Sequence, residues 1–216
     1  MASKNRYHHP DLRQALLDGA LKLIQEEGLR GFSLRKLAAK AGVSHAAPYR
    51  HFENKDEILF ALMLEGHKRL RKALVDAEQS CNGTAADKYL AMTRAYLAFA
   101  RQNPEHLRVM FSREAMAAAM GREHAKFHDN HDSWGALEGL VRRCQDEGFL
   151  PREADPGVLS LLAWAEVHGL ALLCNEGAIE TMSVVRAGAG DNVLEEIFAV
   201  MKSRLSRSKK SAARTR

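Results

Sequence analysis

The 216-residue sequence contains only three cysteines, and their spacing suggests no pairing. Cys81, Cys144 and Cys174 make an odd count and belong to no CxxC motif. Secreted disulfide scaffolds carry even sets of cysteines, whereas thiols remain reduced in the cytosol. The first ten residues are polar and basic, unlike the apolar stretch of a secretory signal peptide. Both observations predict a cytoplasmic protein.

Catalytic motifs and strand patterns are also missing from the sequence. No GxSxG elbow presents a nucleophilic serine, and no glycine-rich loop is followed by the Lys-Ser/Thr pair that binds phosphate. Apolar residues do not alternate with polar ones as they would in half-buried strands. We therefore expect an all-α protein that is not an enzyme and holds no cofactor.

One histidine cluster keeps a metal-dependent enzyme open as an alternative. His124, His128 and His131 recur at i, i+4 and i+7 of a predicted helix, a geometry that can bind a divalent metal. One helix cannot complete a tetrahedral site by itself, and a polar helix face would explain the same residues. We predict no metal here, and an all-helical metal-dependent hydrolase remains the alternative.

Only one segment is apolar and long enough to raise the question of a membrane span. Residues 157–174 are at the short limit for a transmembrane helix, and Glu166 and His168 lie inside the run. Ionisable groups are costly within a bilayer. We therefore predict a buried helix of a soluble protein, with no membrane partner.

Charge is distributed unevenly along the chain. Residues 1–55 carry a net charge of +5, residues 56–201 one of −7, and residues 202–216 one of +7, within a total of +5. Apolar residues make up 46% of the sequence, which is enough for a sizeable core. A basic front and a basic tail suggest that one end of the molecule meets a polyanion. Basic termini that only aid solubility would explain the same distribution.

Helix signals near the N-terminus predict a helix-turn-helix arrangement. Gly28 can end a first amphipathic helix, and Ser33 can cap a second, short one that stops at Gly42. A third helix is expected to begin at Ser44 and to end at about Phe52. In the helix-turn-helix layout, the second helix of the motif enters the DNA major groove with its N-terminal residues nearest the base edges.

The residue types between positions 44 and 55 suit the surface of a polyanion. Ser44 and His45 offer hydrogen bonds to bases or phosphates at the start of the predicted third helix. Tyr49 and His51 can donate to phosphate oxygens. Lys55 opens the next helix, where an approaching phosphate would favour a cation. This pattern predicts a DNA-binding surface.

The segment FSLRKLAAKAGVSHAAPYRHFENKDEIL, residues 32–59, resembles the DNA-binding domain of the tetracycline-repressor (TetR) family. The match extends over about residues 10–60. Its main features are Leu37-Ala38, Ala41-Gly42-Val43-Ser44, Tyr49-Arg50-His51-Phe52 and Lys55-Asp56-Glu57. Pro48 departs from the family, which more often has an aliphatic residue there. In a first helical turn a proline costs little, although it could tilt the recognition helix.

The resemblance implies a division of roles among the candidate DNA-contacting residues. Positions that correspond to the family's DNA contacts are Ser33, Ser44, Tyr49, His51 and Lys55. Arg35 and His45 correspond to positions that vary with the operator. The implied partner is a double-stranded operator with an inverted repeat, bound by a homodimeric repressor. An architectural DNA-binding protein without an effector remains a third hypothesis.

The stretch WAEVHGLALL, residues 164–173, resembles the Trp-His-Gly (WHG) signature of one TetR subgroup. This resemblance implies a C-terminal domain that dimerises and binds a small-molecule effector. We predict a DNA-binding domain over residues 10–56, a regulatory domain over 57–206, and flexible basic termini over 1–9 and 207–216. Candidate pocket residues, which could equally be core residues, are Met120, Phe127, Trp134, Trp164 and His168.

The predicted helix at residues 156–175 is apolar on nearly every side, so that part of it must face something other than its own domain. The last predicted helix supplies a second apolar stripe. Two such helices from each subunit would make a four-helix contact about a two-fold axis. Predicted interface residues are Leu162, Gly169, Leu173, Phe198 and Met201. The alternative is that both helices are internal to one subunit.

Overall fold

The computed structural model describes residues 11–120, 133–181 and 190–214, which are mostly helical and contain no strand. This confirms the all-α prediction. The helices are α1 (Leu12–Gly31), α2 (Leu34–Lys40), a 3₁₀ turn (Pro48–Arg50), α3 (Lys55–Ser80), α4 (Ala85–Gln102), α5 (Pro104–Met110), α6 (Arg113–Met120), α7 (Ser133–Asp146), α8 (Pro156–Asn175), α9 (Ala178–Thr181) and α10 (Gly190–Arg214).

The described chain forms two compact units, of which the first comprises the described residues of 1–66 and 105–127. Its core joins the apolar faces of α1, α2 and the first turns of α3. Val109 of α5 and Ala115 of α6 belong to the same core. The unit is therefore larger than the predicted DNA-binding domain of residues 10–56, because α3 continues the core through Met63 and two later helices complete it.

Short polar side chains and glycines define the ends of the N-terminal helices. Asp11 Oδ1 accepts a hydrogen bond from Gln14 N at 3.0 Å and caps α1. Gly28 has a φ of 73° and interrupts α1 three residues before its end. Asn54 Oδ1 accepts from Glu57 N at 3.0 Å at the start of α3. Caps and left-handed glycines depend on local chemistry, and Gly28 breaks α1 at the position where the sequence predicted its end.

The second unit comprises the described residues of 67–104 and 128–216. Helices α4, α7 and α8 pack together, α9 lies against α8, and α10 lies against α4. Thr84 and Asp87 form a reciprocal capping box at the start of α4. The hydrogen bond from the Thr84 hydroxyl lowers the pKa of the Asp87 carboxyl. Asp155 caps α8, whose first residue is Pro156 as predicted.

The C-terminal tail is more ordered than the sequence predicted. Residues 207–214, expected to be flexible, continue α10 as far as Arg214. Their composition of alanine, lysine and arginine, with serines between them, is compatible with a helix once the preceding turns have nucleated it. The predicted arm at residues 1–9 lies outside the described residues.

Candidate DNA-binding surface, ring cluster and subunit contact

A glycine turn after α2 begins the candidate DNA-binding surface. Gly42 has a φ of 66°, in the left-handed region that favours glycine. Its N–H donates to Ala39 O at 3.2 Å, and Val43 N donates to Ala38 O at 3.1 Å. These bonds satisfy the last carbonyls of α2 and end the helix. The turn is present where the sequence predicted it.

The prediction of an α-helix from Ser44 to Phe52 is wrong. Residues 44–47 form a turn, closed by a hydrogen bond from Ala47 N to Ser44 O at 2.9 Å, and a single 3₁₀ turn follows at Pro48–Arg50. In an α-helix capped at Ser44, residue 48 is the first whose N–H would donate back to the cap carbonyl. Proline has no N–H, so this bond cannot form. Pro48 therefore has a larger effect than we expected from the sequence.

Two buried residues hold this irregular segment in place. Pro48 is buried, and Phe52 is 1% exposed in the core of the first unit. Phe52 N donates to Pro48 O at 2.9 Å, and the Arg13 guanidinium lies 5.1 Å from the centre of the Phe52 ring. The side chains before and between these anchors are exposed. They are Ser44, His45, Tyr49, Arg50 and His51.

Tyr49 is the most informative of these side chains because it is aromatic and yet 58% exposed. Large aromatic side chains normally contribute buried area, and an exposed one on a firmly held turn is suited to contact another molecule. Arg50, which sequence reasoning did not choose as a contact, is exposed beside it. Its position inside the matching Tyr49-Arg50-His51-Phe52 stretch was a signal that could have identified it.

The predicted contacts on α2 divide into a cap and an exposed cation. Ser33 Oγ accepts from Lys36 N at 3.3 Å and caps the helix. Arg35 is exposed. The other two cations of α2, Lys36 and Lys40, form ion pairs with carboxylates of α1. The positive charge of this helix is therefore partly neutralised within the chain.

Lys55 has a structural contact that its position in the sequence did not suggest. Its Nζ donates to Leu29 O at 2.6 Å and lies 5.8 Å from the centre of the Phe32 ring. The ammonium group thereby satisfies a carbonyl near the end of α1. An ammonium group has three N–H donors, so this contact still leaves capacity for a phosphate oxygen.

A cluster of three rings lies in the second unit. The Tyr96 hydroxyl and His168 Nδ1 are 2.8 Å apart, and the His168 and Trp164 rings are stacked with their centres 5.1 Å apart. Burial raises the pKa of Tyr96 to about 12 and lowers the pKa of His168. Near neutral pH, His168 is therefore uncharged and Tyr96 keeps its proton. Tyr96 was missed as a site residue because the sequence shows only its place in an apolar stripe.

The other predicted pocket residues belong to other helices or lie outside the described residues. Met120 ends α6 in the first unit and is 73% exposed, and Trp134 is the second residue of α7 and is 39% exposed. Phe127 and the histidines at 124, 128 and 131 lie outside the described residues. Among the residues that are described, no group of three or more His, Cys, Asp or Glu side chains could hold a metal ion.

Helix α8 is buried along one face only. Its buried residues are Ser160, Val167 and Ala171. By length and composition it could cross a membrane. Its most apolar 18-residue stretch has a mean hydropathy of 1.7, and 17% of that stretch is buried. The prediction of a buried helix is thus wrong for most of its surface. Its exposed large apolar side chains are Val158, Leu161, Leu162, Leu172 and Leu173.

The predicted interface residues fall into two groups. Leu162 is 63% exposed, Leu173 is 39% exposed, and a Cβ added at Gly169 would meet no atom within 4 Å. Phe198 and Met201 of α10 are instead buried within their own subunit, which differs from our expectation for them. The Arg94 guanidinium covers the Phe198 ring at 3.9 Å from its centre. The exposed large apolar side chain next to Phe198 and Met201 is Val200.

An open groove runs between α8 and α10. Its volume is about 350 Å³, and its lining includes Gly169, Leu173 and Met201. Glu166 also lines the groove, and its carboxylate lies 2.9 Å from the Arg204 guanidinium. The groove lining is apolar apart from the Glu166 carboxylate and the Thr93 hydroxyl.

Two family models match the chain. One, described as bacterial regulatory proteins of the tetR family, covers residues 16–62, which include the motif and the exposed segment after it. The other, described as a tetracyclin repressor-like C-terminal domain, covers residues 89–201, about half of the chain.

The chain is also similar to individual regulatory proteins and to a solved structure. Tetracycline repressor protein class D of Escherichia coli is 42% identical over 53 residues, which are 24% of this chain and 24% of that protein. The match therefore spans about a quarter of that relative. The transcriptional regulator PksA of Bacillus subtilis strain 168 is 26% identical over 166 residues, 76% of this chain and 78% of that protein. A solved structure of a protein of unknown function from Rhodococcus sp. RHA1 is 29% identical, with a TM-score of 0.69, and the superposition covers 93% of this chain and 98% of that one.

Proposed function

Because the chain belongs to the tetR family of bacterial regulatory proteins, we propose that it is a cytoplasmic transcriptional repressor. In this proposal a homodimer binds an operator with an inverted repeat, and a small-molecule effector releases it. The observation that carries the proposal is the set of exposed side chains between Ser44 and His51. They are held in place by the buried Pro48 and Phe52, in the region that the first family model covers. No catalytic step forms part of the proposal.

The chemistry of the exposed segment supports DNA as the partner. Residues 1–55 carry a net charge of +5, and phosphate contacts draw their free energy largely from released counterions. Tyr49, Arg50 and His51 offer donors for phosphate oxygens. Ser44 and His45 precede the 3₁₀ turn, where short or flexible donors can reach base edges in a major groove.

The exposed face of α8 supports a homodimer. Five large apolar side chains on one helix are more than an isolated soluble subunit normally exposes together. A second copy of the same face would cover them about a two-fold axis. Glu166 already has its counter-ion in Arg204, so that burial in such a contact would leave no unpaired charge. We place Leu162, Gly169 and Leu173 in this contact.

A lipid bilayer is a poorer partner for the same helix. Ser160 is fully buried, and α8 packs along this face against α4 and α7. The Glu166–Arg204 ion pair lies on another side of the helix. An ion pair facing lipid would be costly. A single helix that is bound on one side to a helical unit is better covered by protein than by lipid.

The ring cluster of Tyr96, Trp164 and His168 supports an effector site in the second unit. Stacked rings offer an apolar surface, and a neutral histidine next to a protonated tyrosine offers hydrogen bonds without a charge. An effector that releases DNA must bind the two conformations with different affinities. We propose that this cluster forms part of the surface that the effector contacts.

Selection from a library of random DNA duplexes tests the proposed function. The purified full chain should enrich an inverted repeat. Tyr49→Ala should weaken binding to every duplex, because a phosphate contact carries no sequence information, whereas His45→Ala should change the bases that are enriched. Both side chains are exposed, so neither variant should lose stability. Failure of the wild-type protein to enrich any sequence would contradict the proposal.

A further inference from the structure

Gly66 lies within the 26-residue helix α3, at a point where α5 approaches closely. A Cβ added at this position would lie 2.5 Å from Met110 Sδ and 2.7 Å from its Cγ. It would also lie 3.5 Å from His106 Cδ2. Contacts shorter than 3 Å do not occur without displacement of one partner. The lack of a side chain at Gly66 is therefore what permits the observed packing of α3 on α5.

Apart from this packing, a glycine at position 66 is unfavourable for the stability of α3. Glycine in a helix interior is worse than alanine because the unfolded chain gains more conformational freedom. Gly139 in α7 provides a comparison, since the nearest atom to an added Cβ there is Arg143 Nη1 at 3.8 Å, an ordinary contact. Replacement by alanine would therefore force a neighbour to move at Gly66 but not at Gly139.

The neighbour has little room to move. Met110 and Val109 are fully buried, and Leu107 is 2% exposed. Methionine is a flexible side chain, but a fully buried one has no solvent into which it can turn. Val109 belongs to the same core as Phe52 and Ile58, so α5 is fixed against the first unit. Strain at Gly66 would therefore be relieved mainly by a displacement of α3.

Such a displacement would reach the candidate DNA-binding segment. The first residue of α3, Lys55, donates to Leu29 O, and Glu57 accepts from Glu53 N at 2.6 Å, next to the buried Phe52. The helix rises about 1.5 Å per residue, so Gly66 lies about 17 Å along the axis from Lys55. Residues 55–66 contain no proline that would kink the helix, so a shift at one point is carried to the other.

We propose that Gly66 is a positioning residue for operator recognition: the close contact of its backbone with Met110 fixes the register of α3 on α5, and thereby the placement of residues 44–55 on DNA. This inference rests on the proposed function as a DNA-binding regulator. It assigns to a residue remote from the DNA a role that neither its type nor its burial would suggest.

A double-mutant cycle between Gly66 and Met110 tests the inference. Gly66→Ala should weaken binding to the selected operator by about tenfold or more. This is the loss of affinity expected if the usual free-energy cost of overpacking a core is paid on binding. Met110→Ala removes the two atoms that would clash, so the double variant should regain most of the affinity that Gly66→Ala loses. Gly139→Ala is the matched control and should bind like the wild type.

Thermal unfolding separates a positioning role from a merely structural one. If Gly66 only supports the fold, Gly66→Ala should change the melting temperature while the folded dimer binds the operator normally, and that result would overturn the inference. If Gly66→Ala does not fold, the double variant decides: affinity equal to that of Met110→Ala supports the inference, and affinity well below it contradicts the inference. The wild type and Gly139→Ala are measured in the same assay. If neither binds the operator, the proposed function fails; if both bind, a negative result for Gly66→Ala counts against this inference alone.

Discussion

Lys55 combines two roles at the scale of a single residue. Its hydrogen bond to Leu29 O is internal to the subunit, and its remaining donors are available to a phosphate. Lys55→Ala should therefore lower the free energy of unfolding by about 1 kcal/mol and also weaken operator binding. Arg50→Ala is the matched control, because Arg50 is exposed and its loss should weaken binding without a loss of stability. Urea unfolding and operator titration of both variants would check this; equal stability of the two would contradict it.

His168 makes the stability of the second unit depend on pH. Burial lowers the pKa of His168 in the folded state from an ordinary value of 6.5. Below that pH the unfolded chain therefore binds a proton more readily than the folded chain, and stability falls on acidification. At pH 7.5 and above this contribution vanishes. Between pH 7.5 and pH 5, His168→Gln should lose less stability than the wild type in urea unfolding. An equal loss would show that His168 is not involved.

Sequence reasoning was most successful where single residues act locally. Ser33 caps its helix, and Gly42 adopts the left-handed conformation of its turn, because each depends on the few residues around it. The bond between Tyr96 and His168 could not be foreseen, since it joins positions 72 residues apart. Such partners are fixed by tertiary packing, which local patterns do not encode.

At the scale of elements, the segment after Gly42 departs from its predicted secondary structure. Ser44 as a helix cap predicted an α-helix there, but Pro48 removes the first backbone hydrogen bond, and a turn and a 3₁₀ turn result. One missing donor at the fourth position after a cap is enough to prevent the α-helix that the cap residue favours. The resemblance to a family implied the contact residues without implying this local geometry.

Replacing Pro48 should therefore change the element. Pro48→Leu restores an N–H that can donate to Ser44 O and places an aliphatic side chain at a buried position. We expect residues 44–52 to become α-helical, and the sequence preference of the variant to change because the exposed side chains turn with the backbone. Amide chemical shifts together with a repeated selection would check this. An unchanged 3₁₀ turn would contradict our account of the element.

At the scale of the whole molecule, α8 and α10 have different expected roles. Leu162 is 63% exposed in one subunit, whereas Phe198 is 5% exposed. Leu162→Glu should therefore leave a folded monomer, while Phe198→Glu should lower the stability of the subunit itself, by about 3 kcal/mol or more. Gln79→Glu, which adds the same charge at an exposed position of α3, is the control. Sedimentation and thermal unfolding separate the outcomes, and a dimeric Leu162→Glu variant would argue against α8 as the subunit contact.

The central claim is that two subunits together bind an inverted repeat through phosphate and base contacts. The most direct test is a titration of the selected operator, and of the same duplex with one half-site scrambled, at several salt concentrations. We predict two subunits per duplex, a large loss of affinity for the scrambled duplex, and a steep fall of affinity with salt, because phosphate contacts release counterions. Equal affinity for both duplexes, or affinity that does not change with salt, would contradict the account.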